Sequence, residues 1–125
     1  MQRTDAVMPQ WYNLHTNEDG LYTVTLPETN ANTIIFCRLN PNNPDNNWNN
    51  VWNQTNDIGI NIEAKTLIEY FYAMKENNWK DGEWIYNPTL CKHPFRTICF
   101  KPNDEWKKDN ARFAIYVFKK KKKRR

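Results

Sequence analysis

Ala111-Arg112-Phe113-Ala114-Ile115-Tyr116-Val117-Phe118 is the longest run of this chain that reads as a strand. Side chains alternate along an extended backbone, so Phe113, Ile115 and Val117 share one face while Ala114, Tyr116 and Phe118 share the other. Both faces are apolar. Such a strand is either covered on both sides within a sheet or turns one aromatic face towards a ligand.

Shorter strands lie upstream of it. Leu21-Tyr22-Thr23-Val24-Thr25-Leu26 is β-branched and aromatic, opened by Asp19-Gly20 and closed by Pro27. Thr33 to Leu39 is a second strand, ended by Asn40-Pro41, and Glu28 to Asn32 has the length and polarity of a hairpin loop joining the two. Asp57-Ile58-Gly59-Ile60 reads as a short return strand. Thr97-Ile98-Cys99-Phe100 is another, stopped by Lys101-Pro102-Asn103. Two periods compete between 62 and 79. Ala64, Leu67, Ile68, Phe71 and Met74 keep helical spacing, whereas Tyr70-Phe71-Tyr72 favours strand and Lys80-Asp81-Gly82-Glu83 looks like a turn into Trp84-Ile85-Tyr86. Strand is the expectation there. Six or seven short strands at this spacing predict an all-β, immunoglobulin-like β-sandwich, with room for a short helix within 62–79.

The segment Asn46-Asn47-Trp48-Asn49-Asn50-Val51-Trp52-Asn53-Gln54-Thr55-Asn56-Asp57 sets two indoles in a bed of short amides, just after Pro41 and Pro44. Asn, Asp and Pro favour turns and oppose both helix and ladder. A loop held by its own amides is expected, with each Trp either a core plug or a platform. Amides beside an exposed indole suit a neutral, hydroxyl-rich ligand, because the ring stacks on a flat apolar face while the amides bond its rim.

At 125 residues the chain has room for one core. Its formal charge is +4, from 18 basic and 14 acidic residues, but seven of the basic ones are Lys119 to Arg125. The remaining 11 against 14 make the body about −3, so the basic footprint is terminal rather than spread over a face. Single-stranded nucleic-acid binding through that tail is the weaker alternative to ligand stacking, and an inert spacer is a third. No run of ~18 apolar residues suggests a membrane span, and no signal peptide is visible.

Cys37, Cys91 and Cys99 are odd in number. Cys91 and Cys99 could bridge across a hairpin, Cys37 reads as a buried small hydrophobe, and free thiols are expected. Catalysis finds little support. His15 sits in a polar turn, Cys91-Lys92-His93 is a lone C-x-H without a second metal-binding pair, and Asp81 with Glu83 or Asp104 with Glu105 read as turn carboxylates. Three glycines could hardly furnish a phosphate loop, so no metal or other cofactor is expected. Asn53-Gln54-Thr55 is formally an N-glycosylation acceptor.

Tyr22-Thr23-Val24-Thr25-Leu26-Pro27, Ile34-Ile35-Phe36-Cys37-Arg38-Leu39-Asn40-Pro41, Asn46-Asn47-Trp48 and Trp52-Asn53-Gln54-Thr55-Asn56-Asp57-Ile58 together resemble the second half of a repeat. That repeat belongs to secreted bacterial starch-binding modules, carbohydrate-binding module families twenty-five and twenty-six. Trp106-Lys107-Lys108-Asp109-Asn110-Ala111-Arg112-Phe113 and the strand after it resemble the opening of such a module, and Trp79-Lys80-Asp81-Gly82-Glu83-Trp84 its closing segment. The order is therefore permuted. Either the chain is a slice of a tandem array, or 9–118 forms one permuted sandwich (9–97 the back of a module, 98–118 the front of the next), followed by a disordered basic tail over 119–125. The resemblance implies a non-catalytic binder of α-glucan polysaccharide or oligosaccharide, extracellular or at the cell surface, and a monomer or strand-swapped dimer. Nucleic acid and membrane are not expected partners. Carried over by position, the sugar contacts would be Trp48 or Trp52, Tyr116 or Phe118, and Gln54 with Asn53. Core packing remains the alternative for each aromatic, and service to the loop's own backbone for the two amides. Trp11, Tyr12, Trp84 and Trp106 are expected to be structural.

Overall fold

The computed structural model describes residues 10–16, 20–88 and 94–120. Strand β1 is Gln10–Asn13, β2 His15–Thr16, β3 Tyr22–Thr25, β4 Thr33–Leu39, β5 Val51–Gln54, β6 Ile58–Gly59, β7 Tyr70–Met74, β8 Gly82–Tyr86, β9 Thr97–Lys101 and β10 Arg112–Phe118. They form two five-stranded sheets. One runs β1-β10-β4-β5 with β6 also on β4, and the other runs β2-β3-β9-β7-β8. Every pairing is antiparallel except β7 with β9, which is parallel. The chain is an all-β sandwich.

The alternation read from 111–118 holds. Phe113, Ile115 and Val117 join Ile34 and Phe36 on the inner face, opposite Tyr72, Met74, Ile98 and Phe100 of the second sheet. Phe36 stacks on Phe100 at 4.3 Å between ring centroids, and Trp106, fully buried, closes one end against Phe100 and Phe113. The outer face of the first sheet is apolar as well, because Ile35, Cys37, Leu39 and Ala114 are buried beneath Trp11, Val51, Tyr116 and Phe118. With β1 on one side and β4 on the other, β10 is a central strand.

Three expectations are corrected. First, β3 and β4 do not form a hairpin: β3 pairs with β2 and β9, and β4 with β10, β5 and β6. Their connection passes between sheets because Leu26 and Ala31, at its two ends, are buried in the core, and Pro27 cannot donate to a ladder. Second, the amide-rich segment is not all loop. Trp48–Asn50 is a 3-10 turn capped by the Asn47 side chain, and Val51–Gln54 pairs with β4. Third, His15 lies in β2 rather than in a turn, and with β1 and β5 the strand count rises to ten among the described residues.

The competition over 62–79 resolves towards strand. Lys65–Glu69 is only a 3-10 turn without a side-chain cap, while Tyr70–Met74 gains partners on both edges. The Lys80–Glu83 turn does lead into β8, closed by the Lys75 amide donating to the Asp81 carbonyl at 2.9 Å. Cys91 and His93 lie outside the described residues, as does the tail beyond Lys120. Lys120 itself is tied down: its amide donates to Asn32 Oδ1 at 2.8 Å and its ammonium reaches Asp57 at 3.0 Å. No helix of the described residues is long and apolar enough to cross a membrane.

Candidate functional site

The amide-rich segment is organised by Asx turns. Asn40 Oδ1 accepts from the Asn42 amide, Asn43 Oδ1 from Asp45, and Asn47 Oδ1 from Asn50. Nothing in the sequence reading nominated Arg112, yet it fastens the loop. Its guanidinium donates to the Asn43 and Asp45 carbonyls at 2.7 and 2.9 Å and to Asn46 Oδ1 at 2.7 Å. Downstream, Thr55 is buried and Phe36 donates to its hydroxyl at 3.1 Å, so the Gln-Thr pair ends β5 by locking it onto β4.

The two indoles of the segment part company. Trp48, on its 3-10 turn, lies against Trp11 and Tyr116 on the outer face, with all three ring centroids 4.9 Å apart and Phe118 5.4 Å beyond Tyr116. Trp52 goes elsewhere because of a register break. Arg38 pairs with Asn53 and Leu39 with Val51, which leaves Trp52 as the extra residue of a β-bulge. A bulge re-aims a side chain, and here the indole turns towards Arg38.

Arg38 is the hub of this corner. It sits on the inner-face side of β4 and is only 4% exposed. Nε donates to the Trp106 carbonyl, Nη1 to Asn53 Oδ1 and Nη2 to the Lys108 carbonyl, each at 2.9 Å, and Nη2 also meets Asp109 at 3.3 Å. Its Cζ lies 5.0 Å from the ring centroid of Trp52 and 5.2 Å from that of Trp79. Such cation–π contacts contribute roughly 0.5–2 kcal/mol each, more as they are desolvated.

Trp79 comes from the β7–β8 loop of the other sheet. Its carbonyl accepts from Trp106 Nε1 at 3.1 Å, Asn103 Nδ2 bonds the carbonyls of Lys75 and Asn78 at 2.7 Å, and Asn78 Oδ1 accepts from the amides of Lys80 and Asp81. Asn77, Asp109 and Asn110, all at positive φ, lie in the two loops that meet here. Asn and Asp tolerate that region best, but it still stores strain, and strain of this kind gathers at functional sites.

The result is an open cleft of about 410 Å³ lined by Val51, Trp52, Asn53, Gln54, Trp79 and Lys80. Trp52 is 43% exposed and Trp79 39%. Of the six residues expected to contact a ligand, Trp52, Asn53 and Gln54 are gathered here, while Trp48, Tyr116 and Phe118 belong to the outer-face cluster. Trp79, Lys80 and Arg38 were not nominated. Their convergence depends on a bulge and on two loops distant in sequence.

Asp81 accepts from Asn56 Nδ2, Asp104 lies 3.9 Å from Lys107, and no group of three or more His, Cys, Asp or Glu could hold a metal among the described residues. Burial pushes the Cys37 thiol far above its ordinary range. No family model matches the chain, and neither a curated protein nor a solved structure matches it.

Proposed function

We propose that this protein is a non-catalytic carbohydrate-binding module that takes an α-glucan, such as a starch or glycogen chain, in the cleft between Trp52 and Trp79. The supporting observation is that two half-exposed indoles, one from β5 and one from the β7–β8 loop, meet at a cleft also lined by Asn53 and Gln54. Sugar rings offer flat C–H faces for stacking and a rim of hydroxyls for amides. The likeness of 20–60 to starch-binding repeats points to the same ligand class, and by the same likeness we place the protein outside the cell or on its surface.

The expected affinity is modest. Burying ~50–100 Å² of ring face gives ~1–2.5 kcal/mol per indole at ~25 cal/mol/Å². Two such contacts and a few hydrogen bonds, less the cost of association, suggest a dissociation constant on the order of 10 µM to 1 mM. Maltoheptaose titrated into the protein should change its Trp fluorescence, and Trp52→Ala or Trp79→Ala should each weaken binding about 5- to 70-fold, the equivalent of one indole's ~1–2.5 kcal/mol. Trp48→Ala and Tyr116→Ala should leave it nearly unchanged. No response at millimolar sugar would sink the reading; losses confined to Trp48→Ala and Tyr116→Ala would move the site to the outer face.

A further inference from the structure

Arg38 lies too deep to touch a ligand, yet it governs what the cleft can accept. We propose that Arg38 and Lys80 make the cleft a charge filter, admitting neutral and anionic sugars and rejecting cationic ones. This deepens the glycan-binding reading and rests on it.

A cation over an indole draws on the negative face of the ring quadrupole. The Arg38 guanidinium holds that position on both rings, 5.0 Å from Trp52 and 5.2 Å from Trp79. A ligand stacking on the remaining face of either ring meets an aromatic already backed by positive charge. An ammonium group there gains less from the ring and is repelled through a thin apolar layer, where Coulomb forces exceed those in open water.

The cleft itself repeats the bias. Among the described residues, Lys80 is its only charged lining residue and no carboxylate lines it. Asp109, which meets Arg38 at 3.3 Å, has a side chain 73% exposed, so solvent and salt screen its compensation. Asp81, next to Lys80, is engaged by Asn56 Nδ2 at 3.3 Å. Asn53 adds a directional element. Its Oδ1 is held by Arg38 Nη1, which fixes the amide and leaves Nδ2 to donate. Lys80 and Asn53 therefore offer donors, matched to hydroxyl or carboxylate oxygens and mismatched to ammonium.

Three ligands on one backbone test this: maltoheptaose, the same chain aminated at its primary hydroxyls, and the same chain oxidised there to uronates. Each is titrated calorimetrically into the wild type and into Lys80→Gln, at low and at ~1 M salt, where the screening length falls to ~3 Å. The aminated chain should bind ~10-fold or more weakly than maltoheptaose, a 1.4 kcal/mol difference, and the uronate at least as tightly as maltoheptaose. Both gaps should narrow in high salt. Lys80→Gln should narrow them when each charged chain is compared with maltoheptaose in the same variant, and a residual gap should persist because Arg38 remains. Equal affinity for all three ligands, or tighter binding of the aminated chain, overturns the filter and leaves the glycan reading standing. A gap that vanishes completely in Lys80→Gln removes Arg38 from it. Binding of none overturns the glycan reading itself.

Discussion

Arg38 and Cys37 are neighbours on β4 with opposite surroundings. Arg38 points to the inner-face side, where the Trp106 and Lys108 carbonyls and Asn53 take its donors. Replacing it with Met would keep much of the stem but strip the Trp106 carbonyl and Asn53 Oδ1 of this donor, while the Lys108 carbonyl keeps the Ala111 amide at 3.3 Å, at a cost of about 2–4 kcal/mol. A urea melt that shifted by much less would mean that the carbonyls find water or new donors. Cys37 faces outward, is wholly buried, and its thiol is pushed up by desolvation. A group whose folded pKa exceeds its unfolded value holds its proton longer in the folded state. The unfolded thiol ionises near ~8.5, so stability is unaffected below that pH and falls above it by up to ~1.4 kcal/mol per pH unit. Thermal melts from pH 7 to pH 10 should show this decline in the wild type and a shallower one in Cys37→Ala. Parallel curves would count against the burial of the thiol.

At the scale of elements, the site depends on one bulge and one hairpin. The bulge in β5 sends Trp52 to the Arg38 side, and the β7–β8 hairpin carries Trp79 to meet it. Gly82, where β8 begins, has no room for a side chain: a Cβ there would lie 2.5 Å from Tyr72 Cε2 and 2.6 Å from the Ala73 carbonyl oxygen. The ring could yield; the backbone oxygen could not. Gly82→Ala should therefore destabilise by about 1–3 kcal/mol, as overpacking does. It should also weaken sugar binding, because the same hairpin positions Trp79. An unchanged melting temperature would show that the hairpin relaxes freely.

For the whole molecule, β10 is the piece that joins distant parts of the chain. It lies between β1 and β4, with Val117 opposite Gln10 and Ala114 opposite Cys37, and it supplies Phe113, Ile115 and Val117 to the core. A chain ending at Asn110 would leave two strands with open edges and a gap in the core, so we expect it to lose its cooperative thermal transition. A sharp transition in that truncation would show that β10 is dispensable. Pairings between such distant segments must also close long loops first, which predicts refolding in milliseconds to seconds rather than microseconds.

Most strands were legible because alternation and β-branched or aromatic runs are local signals. The 111–118 faces, β4, the β7–β8 turn and the strand at 97–100 follow from neighbouring residues alone. Partners are not local, and so the supposed β3–β4 hairpin became a crossing between sheets once Leu26 and Ala31 found the core. The pair of indoles at 48 and 52 illustrates the same division. By itself the sequence determined an all-β sandwich and a segment rich in amides and Trp. Only the tertiary structure decided that Trp48 would pack with Trp11 and Tyr116 while Trp52 faced Trp79 across Arg38. Side-chain periodicity is written residue by residue, whereas a bulge, a buried cation and a cleft between two sheets arise from pairing across long stretches of chain.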